Sequence, residues 1–64
     1  MTADLFTPAK PWRVTFEKRR DDHALREVVH VPDADDAITA QRIALRLRRT
    51  AGLVRIIACE QEAA

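Results

Sequence analysis

One segment in the middle of the chain carries the start and stop signals of a helix, and this segment separates the stretches that are patterned as strands. Asp33, after Pro32, is a residue type that accepts hydrogen bonds from the free N–H groups at a helix N-terminus. At the other end, three arginines suit the negative end of the helix dipole, and Gly52 is a typical stop residue. The pattern predicts a helix from Ala34 to about Thr50.

Apolar residues on both sides of this segment follow the patterns of strands. Trp12, Val14 and Phe16 alternate with polar residues, which is the period of a strand with one buried face. Two further runs are short and rich in β-branched residues. The predicted elements are strand 1 from Trp12, a hairpin loop at residues 18–23, strand 2 at residues 25–31 and strand 3 at residues 53–59.

The order of these elements limits the fold to few arrangements. Strand 2, the helix and strand 3 form a crossover, so strands 2 and 3 are parallel if they share a sheet. Placing strand 1 between them makes both neighbouring pairs antiparallel. We therefore predict a single small α+β domain of ββαβ order over residues 12–59. Its three-stranded antiparallel sheet has the spatial order 2-1-3, with one helix packed on one face.

The two flanks of the domain are predicted to lie outside it. Residues 1–11 contain Pro8 and Pro11, which favour extended backbone, so they are expected to form an N-terminal arm. Leu5 and Phe6 are its large apolar residues, and they either pack on the domain or anchor a partner. Residues 60–64 follow strand 3 and are expected to fray.

The helix is predicted to be amphipathic, with small residues toward the sheet. At about 100° per residue, the core face is formed by Ala37, Ala40, Ile43, Ala44, Leu47 and Ala51. Ile38 and Leu45 fall beside this face as an apolar shoulder. Exposed apolar residues of this kind mark a partner contact, and the alternative is that the arm covers them.

Composition excludes several classes of function. Eleven basic and ten acidic residues give a net charge of +1, so the chain has no overall field for a nucleic acid or a membrane. A single cysteine cannot form an intrachain disulfide, and no metal cluster with the usual ligands is expected. The apolar runs are too short to cross a membrane, and residues 1–10 do not resemble a signal peptide. A cytoplasmic protein is therefore expected.

Catalytic chemistry has few residues to use. The sequence has no serine and no glycine-rich phosphate loop, and we expect neither an enzyme nor a bound cofactor. Cys59 with His23 or His30 is the one nucleophile and base pair to consider. The interpretation we favour is a structural, buried cysteine.

Basic residues permit a nucleic-acid interface. Three arginines repeat at helical spacing and three basic residues follow one another in the hairpin loop, so together they could follow a phosphate backbone. These residues are Arg42, Arg46 and Arg49 on the helix and Lys18, Arg19 and Arg20 in the loop. Neighbouring aspartates weaken the local field. Nucleic-acid binding is therefore the second hypothesis.

The first hypothesis is a non-catalytic protein-interaction module, a regulatory or adaptor protein. A sheet with one helix leaves one face and two edge strands open, and such surfaces bind partners. The candidate contacts are Arg13, Arg26, Val28 and His30 on the open face, and Ile38 and Leu45 on the helix. Homodimerisation is an alternative use of the same surfaces, because a core this small gains stability from association. In size and shape alone, the chain is comparable to phage-encoded and prophage-encoded accessory proteins.

Overall fold

Three strands and one helix make up the described part of the chain. The structure is a computed structural model that describes residues 9–62. The elements are β1 (Trp12–Arg20), β2 (His23–Val31), α1 (Ala37–Leu47) and β3 (Arg55–Gln61). β1 lies in the middle of the sheet and pairs antiparallel with both neighbours, in the order β2-β1-β3. The predicted α+β class, the ββαβ order and the sheet order 2-1-3 are confirmed.

The core lies between the sheet and the helix. Val14 and Phe16 of β1 are 0% and 1% exposed, and the buried valines of β2 flank them. Ala40 and Ala44 of α1 are fully buried, so their small side chains allow close contact between helix and sheet. The remaining members of the buried cluster are Val29, Val31 and Ala34, with Trp12, Ile43, Val54, Ile56 and Cys59 packed against it.

The helix is shorter than predicted at both ends. Its N-cap is Asp36, whose carboxylate accepts a hydrogen bond from the N–H of Thr39. Asp33 instead accepts from the N–H of Lys10, so it ties the preceding segment to the domain. The helix ends at Leu47 because Arg48 is extended, with ψ at 148°. The predicted core residues Leu47 and Ala51 are therefore exposed.

The hairpin is tighter than predicted. β1 and β2 pair up to Arg20 and His23, which leaves Asp21 and Asp22 as a two-residue turn. Asp21 has a φ of 55°, in the left-handed region that aspartate tolerates better than most residues. The predicted six-residue loop is therefore mostly strand.

The C-terminal end of the sheet also differs from the prediction. β3 starts at Arg55 and runs to Gln61, so the expectation of fraying from residue 60 is wrong for residues 60–62. Pairing with β1 orders these residues, and the N–H of Glu62 donates to the carbonyl of Pro11. Residues 1–8 of the predicted arm, with Leu5 and Phe6, and residues 63–64 lie outside the described residues.

Candidate functional site

The face of the sheet opposite the helix, here named the open face, carries three rows of side chains. Each row runs across β2, β1 and β3, because residues paired across strands project to the same side. The central row is Val28, Thr15 and Ala58; the Glu17 row is Arg26, Glu17 and Arg55; the Arg13 row is His30, Arg13 and Glu60. Within residues 9–62, no helix covers this face.

The Glu17 row is a carboxylate held between two guanidinium groups. Arg26 Nε lies 3.5 Å from Glu17 Oε2, and Arg55 NH2 lies 3.3 Å from Glu17 Oε1. The Glu17 side chain is only 11% exposed, whereas the two arginines are 67% and 74% exposed. Two cations share one anion, so this row carries a net positive charge toward solvent.

The Arg13 row has the opposite balance. Arg13 NH2 donates to Glu60 Oε1 at 3.4 Å, and His30 Nδ1 lies 2.9 Å from Glu62 Oε1. Two carboxylates, those of Glu60 and Glu62, thus lie beside one guanidinium group. This end of the open face therefore carries more carboxylates than guanidinium groups. Glu60 and Glu62 were not among the predicted contacts, because we assigned them to a frayed tail.

The central row is the uncharged part of the open face. Val28 is 48% exposed, and Thr15 and Ala58 are partly buried beside it. Thr15 pairs with Ala58 and Phe16 with Ile56, so Ile57 is the extra residue of a β-bulge. Ile57 remains 37% exposed. The result is an uncharged band between two charged rows of opposite balance.

The apolar shoulder of the helix is exposed in the structure. Ile38 and Leu45 are 65% and 44% exposed, and they lie seven residues apart on one flank of α1. The alternative that the arm covers them involves residues outside the described part of the chain. The shoulder is therefore a second exposed apolar surface, on the opposite side of the sheet from the open face.

The residues predicted for nucleic-acid contact are not gathered into one stripe. Arg42 and Arg46 are exposed on α1, but Arg49 follows the helix end. The ammonium group of Lys18 donates to the carbonyl of Ala51 at 2.6 Å, so it serves a structural contact. Arg19 and Arg20 are exposed at the end of β1.

The segment after the helix is held by a carboxylate that the sequence analysis did not single out. Glu27 of β2 accepts hydrogen bonds from the N–H groups of Arg49 and Thr50 at 2.6 and 2.9 Å. The N–H of Arg49, and after it the hydroxyl and the N–H of Thr50, lower the pKa of Glu27 below its ordinary value. Arg49 and Thr50 are 22 and 23 positions from Glu27 in the sequence. No local pattern in the sequence therefore indicates this contact.

Charge is distributed unevenly along the strands. Residues 17–27 and 46–55, which form the hairpin end, contain eight basic and four acidic residues. The other described residues, at the end where the helix begins, contain three basic and five acidic ones. Both signs match the helix dipole, since anions suit a helix N-terminus and cations suit its C-terminus.

Metal-binding and nucleophilic groups are scattered in the described residues. No group of three histidine, cysteine or acidic side chains within residues 9–62 could hold a metal ion. Cys59 is partly buried, and its Sγ lies 3.9 Å from the carbonyl oxygen of Ala37 on the helix side. His30 projects from the open face, opposite to the side that Cys59 faces. His23 is at the hairpin end, about 20 Å from Cys59 along the sheet. The structure brings neither histidine to Cys59.

A shallow groove borders the open face at the hairpin end. Its volume is about 300 Å³. It is lined by Glu17, Arg19, Leu53, Val54 and Arg55. Leu53 is 96% exposed. The groove therefore lies next to the Glu17 row and continues along residues 53 and 54, which precede β3.

Comparisons add no family to this description. No protein-family model, curated protein or solved structure matches the chain. The one helix of the described residues is too short and too polar to cross a membrane.

Proposed function

We propose that this chain is a non-catalytic protein-interaction module, a small regulatory or adaptor protein of the cytoplasm, that binds its partner through the open face. The observation that carries the proposal is the central row. Val28 is 48% exposed in the same strand that buries Val29 and Val31 against the helix. An uncharged centre with a charged border is the usual anatomy of a protein interface.

The open face suits a binding role better than the shoulder does. Two antiparallel ladders fix its backbone, and ion pairs at 3.3–3.5 Å connect its charged side chains across strands. Such a preorganised surface loses little side-chain freedom when a partner binds. The shoulder offers two side chains of one helix, Ile38 and Leu45.

The rows also define the chemistry of the partner. The Glu17 row has an excess of guanidinium groups, so it favours a carboxylate on the partner. The Arg13 row has an excess of carboxylates and favours a basic group. Between these two, the partner presents small or branched apolar side chains to Val28.

A matched pair of substitutions tests which surface binds. Val28 and Leu45 are exposed to similar extents, 48% and 44%, on opposite sides of the sheet. Proteins are captured from a cell lysate with three tagged baits, namely wild-type protein, Val28→Lys and Leu45→Lys. The bound proteins are quantified by mass spectrometry. We expect Val28→Lys to lose at least about tenfold of a specific captured protein, while Leu45→Lys retains it. Circular dichroism melts confirm that both variants fold.

The outcomes separate the two surfaces and the second hypothesis. Equal capture by all three proteins, or loss with Leu45→Lys alone, overturns the assignment to the open face. The excess of basic residues at the hairpin end favours phosphate binding as a second candidate function. Nuclease treatment of the lysate tests it, because proteins captured through a nucleic acid are then lost with every variant.

A further inference from the structure

The two charged rows of the open face are complementary to each other, and they lie at equal distances on either side of the central row. Glu17 and Arg13 are each two residues from Thr15 along β1, or about 7 Å. A rotation of a half turn about the central row therefore brings the Glu17 row of one copy to the position of the Arg13 row of the other. From this symmetry we propose that the open face binds a second copy of this chain, an inference that rests on the proposed function and names its partner.

In the proposed dimer, a two-fold axis runs along the central row between two stacked sheets. Each strand then crosses its own copy in the antiparallel direction. Val28, Thr15 and Ala58 meet the same residues of the second copy. Aligned sheets stack about 10 Å apart with a rotation of about 30°, a distance that arginine and glutamate side chains span from the two sides.

Opposite charges meet on two of the three strands in this arrangement. On β1, Glu17 faces Arg13 of the second copy. On β3, Arg55 faces Glu60 of the second copy. On β2, Arg26 faces His30 of the second copy, whose Nδ1 lies 2.9 Å from the carboxylate of Glu62 in its own chain. By symmetry each contact occurs twice, and the charged rows remain at the border of the interface.

The other two-fold arrangement of these faces is disfavoured by charge. An axis parallel to the strands would place β2 of one copy over β3 of the other. Arg26 would then face Arg55 of the second copy, twice, and like charges across an interface oppose binding. The pattern of charges therefore selects one of the two orientations.

The size of the face sets the expected affinity. Three strands about 4.8 Å apart and five residues of each give roughly 240 Å² of projected surface per copy. This is far smaller than a standard specific interface, which buries about 800 Å² per partner, so only weak association is expected. We expect a dissociation constant on the order of 100 µM, so the dimer forms at high protein concentration.

Two charge-reversal variants test this arrangement. Each variant alone is expected to dimerise poorly, whereas a mixture of the two is expected to form a dimer. Arg55→Glu places two carboxylates opposite each other in its own dimer, and Glu60→Arg places two guanidinium groups opposite each other. In a mixture, the carboxylate introduced by Arg55→Glu meets the guanidinium group introduced by Glu60→Arg, and the wild-type Arg55–Glu60 contact is kept on the second side. Both native side chains are well exposed, at 74% and 59%, so both variants are expected to fold.

Sedimentation velocity between about 10 µM and 1 mM measures association. We expect wild-type protein to dimerise, each variant alone to bind itself at least about tenfold more weakly, and the equimolar mixture to recover dimer. Arg42→Glu on the exposed side of the helix is the matched control and is expected to dimerise like wild type. Circular dichroism verifies the fold of each variant.

Three results would overturn the inference: a wild-type chain that is monomeric over the whole range, a mixture that stays monomeric, or tighter self-association of Arg55→Glu, which is expected for the other axis. If the mixture fails while Val28→Lys still loses a captured partner, the self-association inference is wrong and the proposed function stands. If the mixture stays monomeric and Val28→Lys also captures the same proteins as wild type, the open face is not a binding surface.

Discussion

The two faces of the sheet are built from the same strands and have opposite properties. On the covered face, Val14 and Phe16 are 0% and 1% exposed and pack against α1. On the open face, the neighbouring residues Arg13, Thr15 and Glu17 face solvent or ion pairs. Alternation along a strand thus places the core and the proposed binding surface one residue apart. Substitutions one position apart should have effects of different kind.

The covered face also uses polar contacts, but it uses them to fix the chain. Trp12 Nε1 donates to the carbonyl of Ala34 at 2.8 Å, and Glu27 holds the segment after the helix. The polar groups of the open face connect one strand to another and leave the arginines exposed. Carboxylates on the two faces therefore differ in role, Glu27 in holding a connection and Glu17 in arranging a surface.

Replacing Phe16 with alanine gives the largest expected effect on the covered face. Phe16 is the largest fully buried side chain, and its loss costs about 3–5 kcal/mol. A core of this size supplies only about 3–5 kcal/mol of net stability. We therefore expect Phe16→Ala to be largely unfolded at 25 °C in circular dichroism and proton NMR spectra.

Its neighbour Thr15 provides the control on the open face. Thr15→Ala removes a partly exposed side chain, and we expect a cost below about 1 kcal/mol in urea denaturation. Equal destabilisation by both changes would break the distinction between the faces. Full folding of Phe16→Ala would show that the core does not depend on the ring.

Much of this division was predictable from the sequence. The period of two in β1 indicates which residues face the helix, and the order of elements indicates the sheet order. The helix N-terminus was not predicted correctly. Asp33 was predicted to cap the helix, but its carboxylate accepts a hydrogen bond from the N–H of Lys10, a contact between distant residues, and Asp36 is the cap.

The part of the candidate site on β1 and β2 was predictable in its residues, whereas the part on β3 and the arrangement of the charges were not. Parity placed Arg13, Arg26, Val28 and His30 on one face, but it could not show which charges meet across strands. That depends on register, and the bulge at Ile57 shifts the register of β3 by one residue. Without it, Glu60 would not pair with Arg13 on this face.

Neutralising Glu27 gives an intermediate effect and tests the connection on the covered face. Glu27→Gln removes the charge that two backbone N–H groups stabilise, so we expect the Tm at pH 7 to fall by roughly 4–8 °C. Differential scanning calorimetry measures the shift. An unchanged Tm would show that the segment after the helix is held without this carboxylate.

The same residue predicts a dependence on pH. Hydrogen bonds lower the pKa of Glu27 in the folded state, so its contribution to stability is complete above the pKa of the unfolded chain. That contribution is lost as the pH falls through the folded-state pKa. The N–H of Thr39 lowers the pKa of Asp36 in the same direction. In urea titrations from pH 7 downward, we expect Glu27→Gln to lose stability less steeply than wild type, because Asp36 still contributes and Glu27 no longer does.

Reversing the charge of Arg26 gives the smallest expected effect on stability and the sharpest contrast between the faces. The Arg26 side chain is 67% exposed, and Glu17 keeps its contact with Arg55, so the free energy of unfolding should change by no more than about 0.5 kcal/mol. Binding should respond differently, because Arg26→Glu reverses the excess positive charge of the Glu17 row to an excess of negative charge. We expect capture of the partner and self-association to fall together, while Arg26→Gln gives a smaller loss of both. Thermal melts and binding measurements on the same samples decide the matter. A loss of stability that matches the loss of binding would assign Arg26 a structural role. The Glu17 row would then stabilise the fold, as the core does, and would not be a binding surface.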